Sequence, residues 1–151
     1  MNRTAGARPG PEPGTGIVTS SFVGTAAFAL VAAAGVVAPE LEVVTAAVSG
    51  VLFAVGCVVF LWAYALAVSR SRAEAIGIGG LYLLAGDSAP ASVRRRLMVA
   101  LAAQVVLALA AASIRPYTPM AFGVLVPVFG LGLTGLWGAR HGHFAARTTK
   151  D

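Results

Sequence analysis

Four long apolar runs, separated by polar breaks, make up most of this chain. Residues 17–37 hold twenty-one positions without a charge. As an α-helix that run is about 31 Å long, enough to cross a hydrocarbon core of about 30 Å. Residues 43–68 form a second uncharged run of twenty-six. It exceeds the core thickness, so it must tilt or project. Residues 97–114 and 120–137 complete the set. Residues 38–42 (APELE) and 115–119 (RPYTP) are tight turns, closed by prolines that cannot continue a helix. Residues 69–96 are the one long polar interruption between the tails.

The long loop contains its own signals. Ser71 and Glu74 have capping-box spacing, which predicts a helix start there. The stretch IGIGGLYLLA is apolar but too short to span, and its three glycines weaken it as a helix. A short interfacial helix is expected, lying on the membrane surface or packed under the bundle. Asp87, Ser88 and Pro90 form a second start signal, opening a helix that continues through Arg94-Arg95-Arg96 into the third span. Pro127 falls in the middle of the fourth span, where a kink is expected.

Lysine and arginine are divided unevenly. Ten of the eleven lie in residues 1–16, 69–96 and 138–151, and Arg115 alone lies in the two short turns. The positive-inside rule then places both termini and the long loop in the cytoplasm. Arginine outnumbers lysine ten to one and Ala, Val and Gly dominate, a bias that resembles a GC-rich bacterial genome and makes a bacterial cell membrane the expected location. A cleaved signal peptide is the alternative for the first run, since a basic tail precedes it and Ala32-Ala33-Ala34 supplies small residues. The run is longer than an ordinary signal core, and Pro39 adjoins the other small-residue site, which favours a retained span.

Composition agrees with the pattern. The chain is 58% hydrophobic and 11% charged, with a mean hydropathy of +0.83. Soluble domains average about 45–50% apolar and about 25% charged. The net charge of +5 would suggest nucleic acid in a soluble protein. Here the basic residues flank apolar runs and report orientation and anionic headgroups, so no nucleic-acid partner is expected. Cys57 is the sole cysteine, in an apolar run, and excludes an internal disulfide or a cysteine zinc cluster.

Candidate chemistry is sparse. No span holds Asp, Glu, Lys or His, the groups that ion-coupled transport normally needs at depth. Gln104 is the one strongly polar side chain within a span, on the stripe Ala100, Gln104, Ala108, Ala112. It reads as an interhelical hydrogen-bonding group, with a pore or ligand contact as the alternative. Ala46, Gly50 and Ala54 form a similar stripe, as do Gly130, Thr134 and Gly138. Gly77-Ile78-Gly79-Gly80 lacks the Lys-Ser/Thr of a phosphate loop. His141 and His143 have no cysteine or acid cluster nearby and read as part of a solvated tail. No catalytic, cofactor or metal residue is assigned. Arg70, Arg72, Arg94, Arg95 and Arg96 form an expected basic collar for lipid or a protein partner. Arg115 is expected to pair across the outer turns with one of the two glutamates there, Glu40 or Glu42. Glu42 is favoured because it adjoins the second span, and Arg115 as a lone lipid anchor is the alternative.

The stretch RPYTPMAFGVLVPVFGLGLTGLWGARHGHF, with LAGDSAP and VRRRL before it, resembles a family of small, four-span actinobacterial membrane proteins without an assigned function. The resemblance covers roughly residues 69–144 and implies the same topology; it carries no activity, substrate or site residue. The sequence therefore predicts one all-α transmembrane four-helix bundle over residues 17–137, a tail at residues 1–16 without fixed structure and a polar tail at 138–151. The functional expectation is a non-enzymatic scaffold or accessory subunit contacting lipid or a partner through the loop. A small oligomeric channel or transporter is the alternative, and a lipid-acting enzyme fits least. Whether copies of the chain associate stays open.

Overall fold

The computed structural model describes residues 13–147 and is an all-α membrane bundle. Four segments are long and apolar enough to cross a membrane: Thr15–Val37, Pro39–Arg70, Ala91–Ile114 and Pro119–His141. The corresponding α-helices are α1 (Thr15–Val37), α2 (Glu42–Arg70), α4 (Ala91–Ile114) and α5 (Pro127–His141), with the short α3 (Ile78–Tyr82) in the long loop. All four long helices extend beyond the uncharged runs at one or both ends. The expected tail at residues 1–16 lies almost wholly outside the described residues, including Arg3 and Arg8.

The last span is the centre of the bundle. Over half of its apolar window is buried (56%), against 17% for the α2 span. α5 packs chiefly on α2, and α1 chiefly on α4; α1 and α5 also touch each other, α1 reaches α2, and α5 reaches α4. Glycine explains the depth of α5. A Cβ on Gly132 would come within 2.7 Å of the Gly56 carbonyl, and one on Gly56 within 2.6 Å of Phe129 Cα. Backbone meets backbone at that crossing, because without a strong hydrophobic force between helices in lipid, close packing must hold them.

Pro127 does not kink a helix. Pro119–Leu125 winds as a 3-10 helix, and α5 begins at Pro127 itself. A missing N–H costs nothing at a first helical position, whereas in an interior it removes a bond and clashes. The expected helix starts in the loop are corrected too. Ser71 and Glu74 form no capping box: the Ser71 amide closes the end of α2 by donating to Ala67, and its hydroxyl donates to Val68. Neither Asp87 nor Ser88 caps α4; Pro90 directly precedes its first residue, and the buried Ser88 hydroxyl donates to Ala85.

The segment after α5 is not simply a solvated tail. The Ala75 amide donates to Ala145, Arg147 to Ala73, and His143 to Ser88, with an antiparallel bridge between Glu74 and Ala146. The loop and the C-terminal segment thus lie against one another under α5. At the chain's entry, Trp137 Nε1 donates to the Pro13 carbonyl. Gly14 next to it is left-handed (φ 75°), where a side chain would strike Trp137 and His141.

Candidate functional site

Polar side chains concentrate at three places: the bundle centre, the rim near the short turns, and the end carrying the long loop.

At the centre, Gln104 is fully buried. Its Nε2 donates to Thr25 Oγ1 at 2.8 Å, and its Oε1 accepts from the Gly130 amide at 3.1 Å. Three helices, α1, α4 and α5, are joined by one amide. The break before α5 explains why an acceptor is required there. The Val126 carbonyl takes the Phe129 amide at 2.9 Å in a tightened first turn, and the next amide, Gly130, turns to Gln104. Inside a bilayer no water is available for such a group. A side chain at Gly130 would collide with Gln104, so glycine is needed opposite it. Thr134, also fully buried, spends its hydroxyl on Leu131 of its own helix. Ala100, Gln104 and Ala108 share the buried face of α4, which continues at Ala111 rather than Ala112, following 3.6 residues per turn. On α2 the small-residue stripe at Ala46, Gly50 and Ala54 is not the packed face. That face carries Thr45, Ser49, Gly56, Ala63 and Ala67.

At the rim, Arg115 Nη1 lies 3.1 Å from Glu42 Oε1, and Nη2 donates to the Val36 carbonyl at 3.1 Å. Val36 is in the last turn of α1, whose carbonyls lack intrahelical partners, and Glu42 opens α2, where an acid favours the helix dipole. Glu40 stays exposed.

At the loop end, Arg70 does the corresponding work for α5. It donates to the Ala139 carbonyl at 2.7 Å and to Gly142 at 3.1 Å, and pairs with Glu74 at 2.7 Å. Its guanidinium also faces the Phe144 ring, 5.6 Å from the centroid. Arg70 is therefore an internal clamp and leaves the expected basic collar, because the orphan carbonyls ending α5 take its donors. Arg94 donates to the Gly86 carbonyl, and Arg72, Arg95 and Arg96 are exposed. Tyr82 of α3 stacks on Phe60 with centroids 4.3 Å apart and donates to its carbonyl. Burial, with a smaller push from Tyr64, raises the Tyr82 phenol above its ordinary 10.0, keeping it a donor.

Thr25, Arg70 and Tyr82 were not singled out as interhelical ties by sequence reasoning. Thr25 did carry a signal: it is a hydroxyl in an apolar run. Among the described residues no group of three or more His, Cys, Asp or Glu converges as a metal site would require. His141 lies against Trp137 and His143 is exposed, its amide held by Ser88.

Fold and polar groups together define a four-helix membrane protein in which Gln104 with Thr25, Arg115 with Glu42, and Arg70 tie the helices to one another. Compared with family models, characterised proteins and solved structures, the chain finds no match.

Proposed function

We propose that this chain is a non-enzymatic scaffold or accessory subunit of a cell membrane, with the loop end and both termini in the cytoplasm. Its exposed arginines there, Arg72, Arg95 and Arg96, engage anionic headgroups or an acidic partner. The observation that supports this reading is the Arg70 clamp. By tying α2 to the end of α5 and to Glu74, it holds the loop against the C-terminal segment. Exposed basic residues beside a fixed surface suit a docking platform, since little ordering entropy is left to lose on contact.

An affinity pull-down from native membranes in mild detergent tests the platform. A stoichiometric partner held by the wild type and lost on Arg72→Gln with Arg95→Gln supports it. Unchanged recovery of every protein and anionic lipid in that double variant overturns it. Orientation is read with an impermeant thiol reagent in intact cells, after replacing Cys57. The exposed positions Glu40→Cys and Asp87→Cys serve as probes; labelling is expected at the first and not at the second. Reaction at position 87 reverses the assignment.

A further inference from the structure

A groove runs down one side of the bundle, floored by α5 and walled by α1 and α2. On α5 its floor is the stripe Phe129, Leu133, Leu136 and Arg140. On α2 the wall is Val55, Val59 and Trp62, and on α1 it runs from Thr19 to Ala27. Two adjoining cavities of about 200 Å³ and about 500 Å³ compose it, and Val59 lines both. Chain direction agrees on all three helices. Thr19, Trp62 and Arg140 lie toward the loop end, and Ala27, Val55 and Phe129 lie deeper. Phe129 and Arg140 are eleven positions apart on the helix, so the floor is about 16 Å long, about half a hydrocarbon core.

One charge stands at the mouth. Arg140 is exposed, and among the described residues it has neither hydrogen bond nor ion pair, unlike Arg70, Arg94 and Arg115. An apolar trough half a membrane deep, ending at a single free guanidinium, is complementary in charge and length to one kind of occupant. We infer that the groove seats an anionic phospholipid, with its phosphate at Arg140 and one acyl chain along Trp62 and Val59 toward Phe129. Guanidinium binds phosphate through paired N–H donors and carries a permanent charge. A partner helix would be a poorer occupant, since it would bury Arg140 without an acid supplied by the structure. The seat is separate from the arginines of the loop and does not rest on the platform reading.

Trp62 is exposed at the rim of the groove, while Trp137, the second tryptophan, is buried. The purified full chain is placed in phosphatidylcholine vesicles containing phosphatidylglycerol, and the acyl chains of one lipid at a time are brominated. Quenching is read with Trp62→Phe as background. Brominated phosphatidylglycerol is expected to quench about fivefold more effectively per lipid than brominated phosphatidylcholine, the contribution of one basic residue near the surface. Arg140→Gln should equalise the two lipids and Arg140→Lys restore much of the preference, while Arg95→Gln leaves it intact. Ala27→Phe, filling the deep end, should lower the preference, whereas Ala110→Phe on the outer face of α4 should not. Equal quenching in the wild type, or a preference that survives Arg140→Gln, overturns the proposal. So does weak quenching by both lipids with a doubled particle size, which would put a second copy in the groove.

Discussion

Arg115 and Glu42, seventy-three positions apart in the chain, meet at 3.1 Å and tie the end of α4 to the start of α2. The same guanidinium reaches the Val36 carbonyl at the end of α1, so three helix termini converge on one side chain. At the opposite end, Arg70 treats the end of α5 in the same way. Each arginine supplies donors to helix-terminal carbonyls that have no intrahelical partner, and each is balanced by one glutamate.

The rim pair should show measurable coupling. In a double-mutant cycle, Arg115→Gln and Glu42→Gln are expected to couple by about 1 kcal/mol, the upper end for a partly exposed pair. Glu42 is the more buried partner, at 12% side-chain exposure against 31% for Arg115. Replacing Glu42 therefore leaves Arg115 still held by Val36, and should cost less than replacing Arg115. Glu40→Gln in the same cycle should be additive. Thermal stability in detergent is the measurement, and zero coupling to Glu42 would leave Arg115 as a cap of α1 alone.

Gln104→Leu and Thr25→Val separate two parts of the central node. Thr25→Val removes one interhelical hydrogen bond, worth on average about 0.6 kcal/mol in membranes. It leaves the Gln104 Nε2 donor on a side chain that can rotate, whereas the Gly130 amide is fixed in the backbone. Gln104→Leu also strands the Gly130 amide, and an unsatisfied buried donor costs about 1–3 kcal/mol. Unfolding titrations should therefore rank the glutamine variant clearly below the threonine variant. Equal losses would mean that Gly130 finds another acceptor.

Glycine positions should differ sharply by location. Gly132→Ala drives a methyl into the α2 backbone, where neither side can yield as a side chain does, so a loss of about 1–3 kcal/mol is expected. Gly50→Ala meets open space and should stabilise α2 by about 0.5–1 kcal/mol, the helix-interior difference between the residues. Ala108→Leu, at a position fully packed in the bundle, should behave like Gly132→Ala. The check is the melting temperature of each variant in one detergent.

Tyr82 makes stability depend on alkaline pH. Its phenol is raised by burial, so the folded state holds the proton more tightly than the unfolded state does. The contribution is complete below the ordinary value of 10.0 and is lost as pH rises through the higher folded value. Tyr82→Phe should be less stable at neutral pH, for want of the bond to Phe60, and its loss of stability above pH 10 should be shallower. Parallel pH curves for the two proteins would rule out the phenol as the titrating group.

Hydropathy and charge determined the class of this protein, the number of spans and their approximate bounds, because crossing a bilayer needs long uncharged runs whatever the neighbours. Isolation made Gln104 visible, since one amide in an apolar run must find partners somewhere. Scarcity exposed Glu42 and Arg115 in the same way, as the few charges of two short turns. Helix order, and the central place of α5, belonged to the tertiary structure. Its glycines matter through what faces them, Gly56, Tyr82, Gln104 and Leu81, and none of those is adjacent in sequence. Local rules misplaced Pro127, Ser71 and Arg70 for one reason. A proline can begin a helix as well as bend one, a serine can follow a helix as well as start one, and an arginine can cap a distant carbonyl as well as face lipid. Which role each takes depends on the unsatisfied backbone groups brought near it, and only the packed bundle supplies those.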